Sequence, residues 1–128
     1  MNIVGPTSLR LKNHSVMMSF RAEVRFEDGH FLDITDNFLV EPVRNDWERN
    51  FAYYFGAPLN DAVQERIFLF DSHGKFGARP HLDLGDGEKL YAGDHRLNGF
   101  SPDNVDVMDI LRLVDAYFDG KPFPWISV

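Results

Sequence analysis

Cysteine is absent from all 128 residues, which excludes disulfides and every cysteine-containing zinc site, while histidine and aspartate remain available as metal ligands. Long apolar runs are also missing: no stretch approaches the roughly 18 residues of a membrane span. The segment from Met1 to Met18 carries Gly5, Pro6, Asn13 and His14 where a signal peptide would be continuously apolar, so a soluble, cytoplasmic setting is expected. Basic charge is scarce, with 13 Lys and Arg against 20 Asp and Glu and a formal net charge of −7. That balance opposes non-specific attraction to phosphate backbones, which disfavours RNA as a ligand without excluding it, and it steers the chain toward basic partner surfaces.

What is present reads as one α+β domain over residues 1–128, long enough to bury about two thirds of its unfolded surface. Phe20, Ala22, Val24 and Phe26 alternate with Arg21, Glu23, Arg25 and Glu27, the period of a strand with one wet face. Asp28-Gly29 marks a hairpin. A two-residue loop would set Val24 against Asp33, whereas a three-residue loop Glu27-Asp28-Gly29 with Gly29 left-handed sets Val24 against Leu32 and Ala22 against Ile34, and the latter is preferred. Trp47, Arg49, Phe51, Tyr53 and Phe55 form another alternating row. Ile67 to Phe70 is apolar on both faces and suits the middle of a sheet, and Gly85-Asp86-Gly87 joins two further short strands. Ser101 as N-cap, Pro102, Asp103 and an apolar stripe containing Leu111, Val114 and Phe118 predict a helix from Ser101 to Asp119, closed by Gly120 and Pro122. The expected fold is a mostly antiparallel sheet of roughly five or six strands with one C-terminal helix packed on one face.

The chemistry-bearing residues cluster around a polar near-palindrome, Asp71-Ser72-His73 and His81-Leu82-Asp83, at the two ends of the loop from Gly74 to Pro80. If His73 lies opposite His81, Asp71 lies opposite Asp83 and four titratable groups share one face. Such a set suits proton transfer near neutrality, with one imidazole as base and the other as acid. It also matches the ligand types of zinc or manganese, or serves as an ordinary solvated surface with Asp71 and Ser72 in turn hydrogen bonds. In Asp94-His95-Arg96, the guanidinium of Arg96 can hold an anion and His95 can join the pair. No complete catalytic or cofactor motif accompanies these residues, and no cofactor is assigned. The Trp47 to Phe55 row fits a core better than a base-stacking platform. The apolar tail from Pro122 to Ile126 fits self-packing better than docking into another protein. His14 and His30 receive no role.

The order Phe70-Asp71, loop, Pro80-His81-Leu82, charged turn and terminal amphipathic helix resembles the TumE-type small toxins of bacterial toxin–antitoxin modules over about the last half of the chain. Where that family tends to carry a second histidine two positions after the first, this chain has Asp83. The resemblance implies a compact toxin acting on RNA and neutralised by a protein partner. Two functions are thus expected to compete. One is a metal-independent nuclease using His73 and His81, with Arg96 as anion holder and Asp71 or Asp83 orienting an imidazole. The other is a non-catalytic acidic protein that binds a basic partner surface.

Overall fold

The structure, a computed structural model, describes residues 2–4, 7–12, 15–41, 46–60, 64–72, 79–85 and 87–127, with side chains described from residue 16 onward except at 46 and 47. Among the described residues, eight strands and one α-helix follow in chain order: β1 (Asn2–Val4), β2 (Thr7–Lys12), β3 (Ser15–Arg25), β4 (Phe31–Glu41), β5 (Asp46–Pro58), β6 (Gln64–Asp71), β7 (His81–Asp83), β8 (Lys89–Leu90) and α1 (Val107–Phe118). The sheet is antiparallel throughout. Its order from β3 to β8 is sequential, and β1 and β2 share the outer side of β3, pairing with different parts of it. The α+β architecture is the expected one, and β1 and β2 add an edge beyond the strands read from the sequence. No helix among the described residues is long and apolar enough to cross a membrane.

The β3–β4 turn has the three-residue loop. Val24 pairs with Leu32 and Ala22 with Ile34, the N–H of Phe26 donates to the His30 carbonyl at 3.0 Å, and Gly29 has φ +91°. Glycine tolerates that conformation because it has no Cβ. The registers carry an apolar face of two rows across the sheet: Val24, Leu32, Phe55 and Phe68 in one line, and Ala22, Ile34, Tyr53, Phe70, Leu82 and Leu90 in the next. All are buried. The register shifts between Phe55 and Gly56, where β6 carries the extra residue Ile67, so the bulge lies in β6 opposite Gly56. A Cβ on Gly56 would stand 2.8 Å from the Glu65 carbonyl oxygen, so only glycine fits opposite the bulge.

Helix α1 covers these rows, and two features differ from the sequence reading. Ser101 does cap a turn, but it is a short 3-10 turn at Pro102–Asn104. The α-helix starts at Val107 behind a capping box in which Asp106 and Asp109 each accept from the other's backbone N–H. The buried side of the helix is Ile110, Leu113, Val114 and Ala116. Leu111, expected to face the sheet with Val114 and Phe118, is 41% exposed, and Phe118 is a half-exposed edge contact on Phe26. The reason is angular: the apolar residues of α1 span more than half its circumference, and the sheet takes the Ile110–Leu113–Tyr117 side rather than the Val107–Leu111–Phe118 side. The tail packs on its own domain, with Trp125 stacked on Phe100 at 4.8 Å and Ile126 buried.

Candidate functional site

The strands put His81, Asp83 and Asp71 on the sheet face opposite the helix, but in a register two residues away from the one expected. Asp71 pairs with His81, Phe70 with Leu82 and Leu69 with Asp83. Asp71 therefore does not oppose Asp83, and the position across from His81 belongs to a carboxylate rather than to His73. His73 lies outside the described residues. A shift of two leaves every side chain on its own face, so alternation alone cannot distinguish the two registers.

Each remaining member of the expected site has a local partner. His81 is buried, its Nδ1 stands 3.1 Å from the Arg79 carbonyl, and its ring packs at 5.7 Å on Tyr91. A carbonyl only accepts, so Nδ1 carries the proton and Nε2 is the basic nitrogen. Asp83 is buried and compensated: Arg66 donates at 2.9 Å and the Gly85 N–H at 2.7 Å. Arg66 also lies over the Tyr54 ring, and these residues with Gln64, Glu65 and Leu84 line an open groove of about 540 Å³. Ser72 is buried and locks β6 to β5, accepting from the Phe51 N–H at 2.7 Å.

Arg96 is clamped rather than free to hold an anion. Its Nε and one terminal nitrogen donate to the two oxygens of Asp94 at 3.0 and 2.8 Å, and the other terminal nitrogen meets Glu88 at 2.9 Å. The two carboxylates, Asp94 foremost, raise the guanidinium above its ordinary value. The Arg96 side chain and then its N–H hold the Asp94 carboxyl far below the usual range. His95 points into solvent, with a 91% exposed side chain. Among the described residues no three histidines or carboxylates converge to hold a metal ion.

Two polar clusters escaped the sequence reading. Arg49 lies on the helix-covered face, in the aromatic row of β5. It donates to both oxygens of Asp36 at 2.9 and 2.7 Å, to the Tyr53 hydroxyl at 2.8 Å and to the Val105 carbonyl at 3.0 Å, with its plane 4.6 Å from the Phe51 centroid. The Tyr53 hydroxyl donates to Asp36 in turn. Burial first, then the bond to Asp36, pushes the Tyr53 phenol well above its ordinary value, and Asp36 raises Arg49. The signal was available: an arginine at an inward position of an alternating aromatic strand demands a buried anion. The second cluster is His30, whose Nδ1 stands 2.8 Å from Asp28 and whose Nε2 meets the Tyr117 hydroxyl at 3.1 Å. It pins the β3–β4 turn to the end of α1. The backbone N–H of His30, then its side chain, lowers the Asp28 carboxyl.

In the cross-strand rows of the Arg49 cluster the same sheet face extends across β4 to β3, where α1 does not cover it among the described residues. Met18 pairs with Phe38, and Phe38 with Arg49. Phe20 pairs with Asp36, and Asp36 with Phe51. Met18 is 42% and Phe20 41% exposed. On α1, Val107, Met108 and Leu111 are exposed as well. Met18 and Phe20 are exposed apolar side chains on the face that elsewhere forms the core. Against models of known families, curated proteins and solved structures, the chain has no match.

Proposed function

We propose that this chain is an acidic protein-interaction module that binds a partner through the open end of its helix-covered sheet face. The observation that carries the reading is the exposure of Met18 and Phe20 on the face that forms the core a few residues further along. Contiguous exposed apolar surface with a polar rim is characteristic of partner-binding sites. The net charge of −7 favours a basic partner. A nuclease reading keeps one supporting observation, the Asp71–His81 pairing that sets a carboxylate across from an imidazole. It lacks a free cation at Arg96, which two carboxylates already neutralise.

The test is photo-crosslinking in cell lysate with p-benzoyl-phenylalanine in place of Phe20 or, on the opposite face, in place of Asp71. A discrete adduct from position 20 is expected. Excess purified wild-type chain should compete it away, and the Met18→Asp/Phe20→Asp variant should not. Equal adducts from both faces, or competition by the double variant, would overturn the reading. So would RNA cleavage by the purified chain that His81→Ala abolishes.

A further inference from the structure

Resting on the interaction reading above, the geometry points to one occupant for the open face: an amphipathic helix of a partner protein, with an apolar stripe flanked by lysine or arginine. The shape argument starts from the two points that fix α1 on the sheet. Phe118 packs against Phe26 at a ring distance of 4.9 Å, and Val105, just before the helix, accepts from Arg49. Phe26 follows directly on β3, and Arg49 lies in the cross-strand row of Met18. The helix therefore runs from β5 in the Met18 row toward the β3–β4 turn, where its end meets both Phe55 of β5 and Phe26. At about 100° per residue, Val107, Leu111 and Phe118 fall within about 40° of one another. Since Phe118 leans over the end of β3, Val107 and Leu111 lean the same way.

The width of the sheet leaves a space there. β5, which carries Arg49, is two strands from β3, or about 9.6 Å, whereas α1 has a radius of roughly 5–6 Å with its side chains. Met18 and Phe20 thus lie just past the flank of the helix. They form a floor, and Val107 and Leu111 form a wall. A floor and one wall, both apolar, seat a cylinder about 10 Å across, which is a second helix lying beside α1. A pairing strand does not fit, because a sheet face offers no backbone donors or acceptors.

Charge selects the kind of helix. From Ser101 to Asp119 the chain has Asp103, Asp106, Asp109, Asp115 and Asp119 against the single base Arg112. Asp103, Asp106 and Asp115 are exposed. Inside the trough the charges of Arg49 and Asp36 satisfy each other, so the field that an incoming helix meets comes from the aspartates. A basic-flanked helix gains from it, and a second copy of this chain would bring the same aspartates together.

The experiment uses the full chain with methyl-labelled methionines and two probe peptides of 18 residues, both with a leucine stripe, one flanked by lysines and the other by glutamates. The lysine peptide is expected to shift the methyl signals of Met18 and Met108 and to bind at least tenfold more tightly than the glutamate peptide. Phe20→Asp and Leu111→Asp, at exposed positions, should each weaken it about tenfold with unchanged circular dichroism. Asp103→Lys/Asp115→Lys should reverse the preference between peptides. Binding that leaves both methyl signals unmoved, or that ignores Phe20→Asp and Leu111→Asp, overturns the proposal. So does sedimentation as a dimer that Phe20→Asp dissociates, which would make the occupant a second copy. A crosslinked partner at position 20 that is not helical where it is attached would sink the helix and leave the interaction module standing.

Discussion

The two ends of one sheet face are built from the same alternation and end in opposite states. Near the β3–β4 turn, Val24, Leu32, Phe55 and Phe68 lie under α1 and the aromatic rings of Tyr117 and Phe118. Toward the far end, Met18 and Phe20 follow the same every-second-residue rule and stand half in solvent. The Arg49–Asp36–Tyr53 cluster marks the border between them. Alternation thus states which face of a strand is apolar, and it is silent on how far the covering layer extends.

The contrast can be broken most directly by truncating one large side chain on each side of the border. Leu113→Ala, at a fully buried position, is expected to cost about 2–5 kcal/mol in denaturant unfolding, and Phe20→Ala less than about 1 kcal/mol. A cost above about 2 kcal/mol at Phe20 would mean that the far end is sealed in solution. The border itself comes next. Arg49→Met leaves the Asp36 carboxylate half-buried without its cation and strips the Val105 carbonyl of a donor, so a loss of about 2–3 kcal/mol is expected. Adding Asp36→Leu should restore part of it, because the orphaned charge disappears.

The smallest effect lies on the alkaline side. The folded state raises the Tyr53 phenol above its ordinary value, so between the unfolded and folded values the native chain holds a proton that the unfolded chain has released. That contribution is complete below about pH 10 and declines as pH rises. Tyr53→Phe should flatten the decline between about pH 10 and 11 in thermal melts. An unchanged slope would show that the hydroxyl's environment does not distinguish folded from unfolded chain.

Which parts were legible follows from the strength of local constraint. The β3–β4 turn was readable to the residue because Gly29 supplies the one positive φ and because a shift by one would have inverted Val24 and Leu32 together. The β6–β7 register was not, since a two-residue slip keeps Phe70 and Leu82 inward and costs alternation nothing. The start of α1 was misplaced because Ser101-Pro102-Asp103 is a sound cap, but of a single 3-10 turn, while the Asp106 and Asp109 box stands five residues on. The roles of Arg96 and Asp94 are half visible in the sequence: the guanidinium shows as an anion holder, and the anion it holds is the carboxylate two residues before it. The open face could not be read at all, because exposure depends on how far across the sheet α1 reaches toward β3, which no local pattern encodes.

The bond from Arg49 to the carbonyl of Val105 joins residues 56 apart in the chain, and it therefore sets an order in time. Strands β3, β4 and β5 leave the ribosome before α1 exists, and their pairing already brings Arg49 to Asp36. For the interval in which the next sixty or so residues are made, at about 5–20 residues per second, the aromatic row from Phe51 to Phe55 has no lid. During those seconds the nascent chain presents uncovered the aromatic row that α1 later buries, so chaperone demand should peak there and fall once Phe118 has emerged.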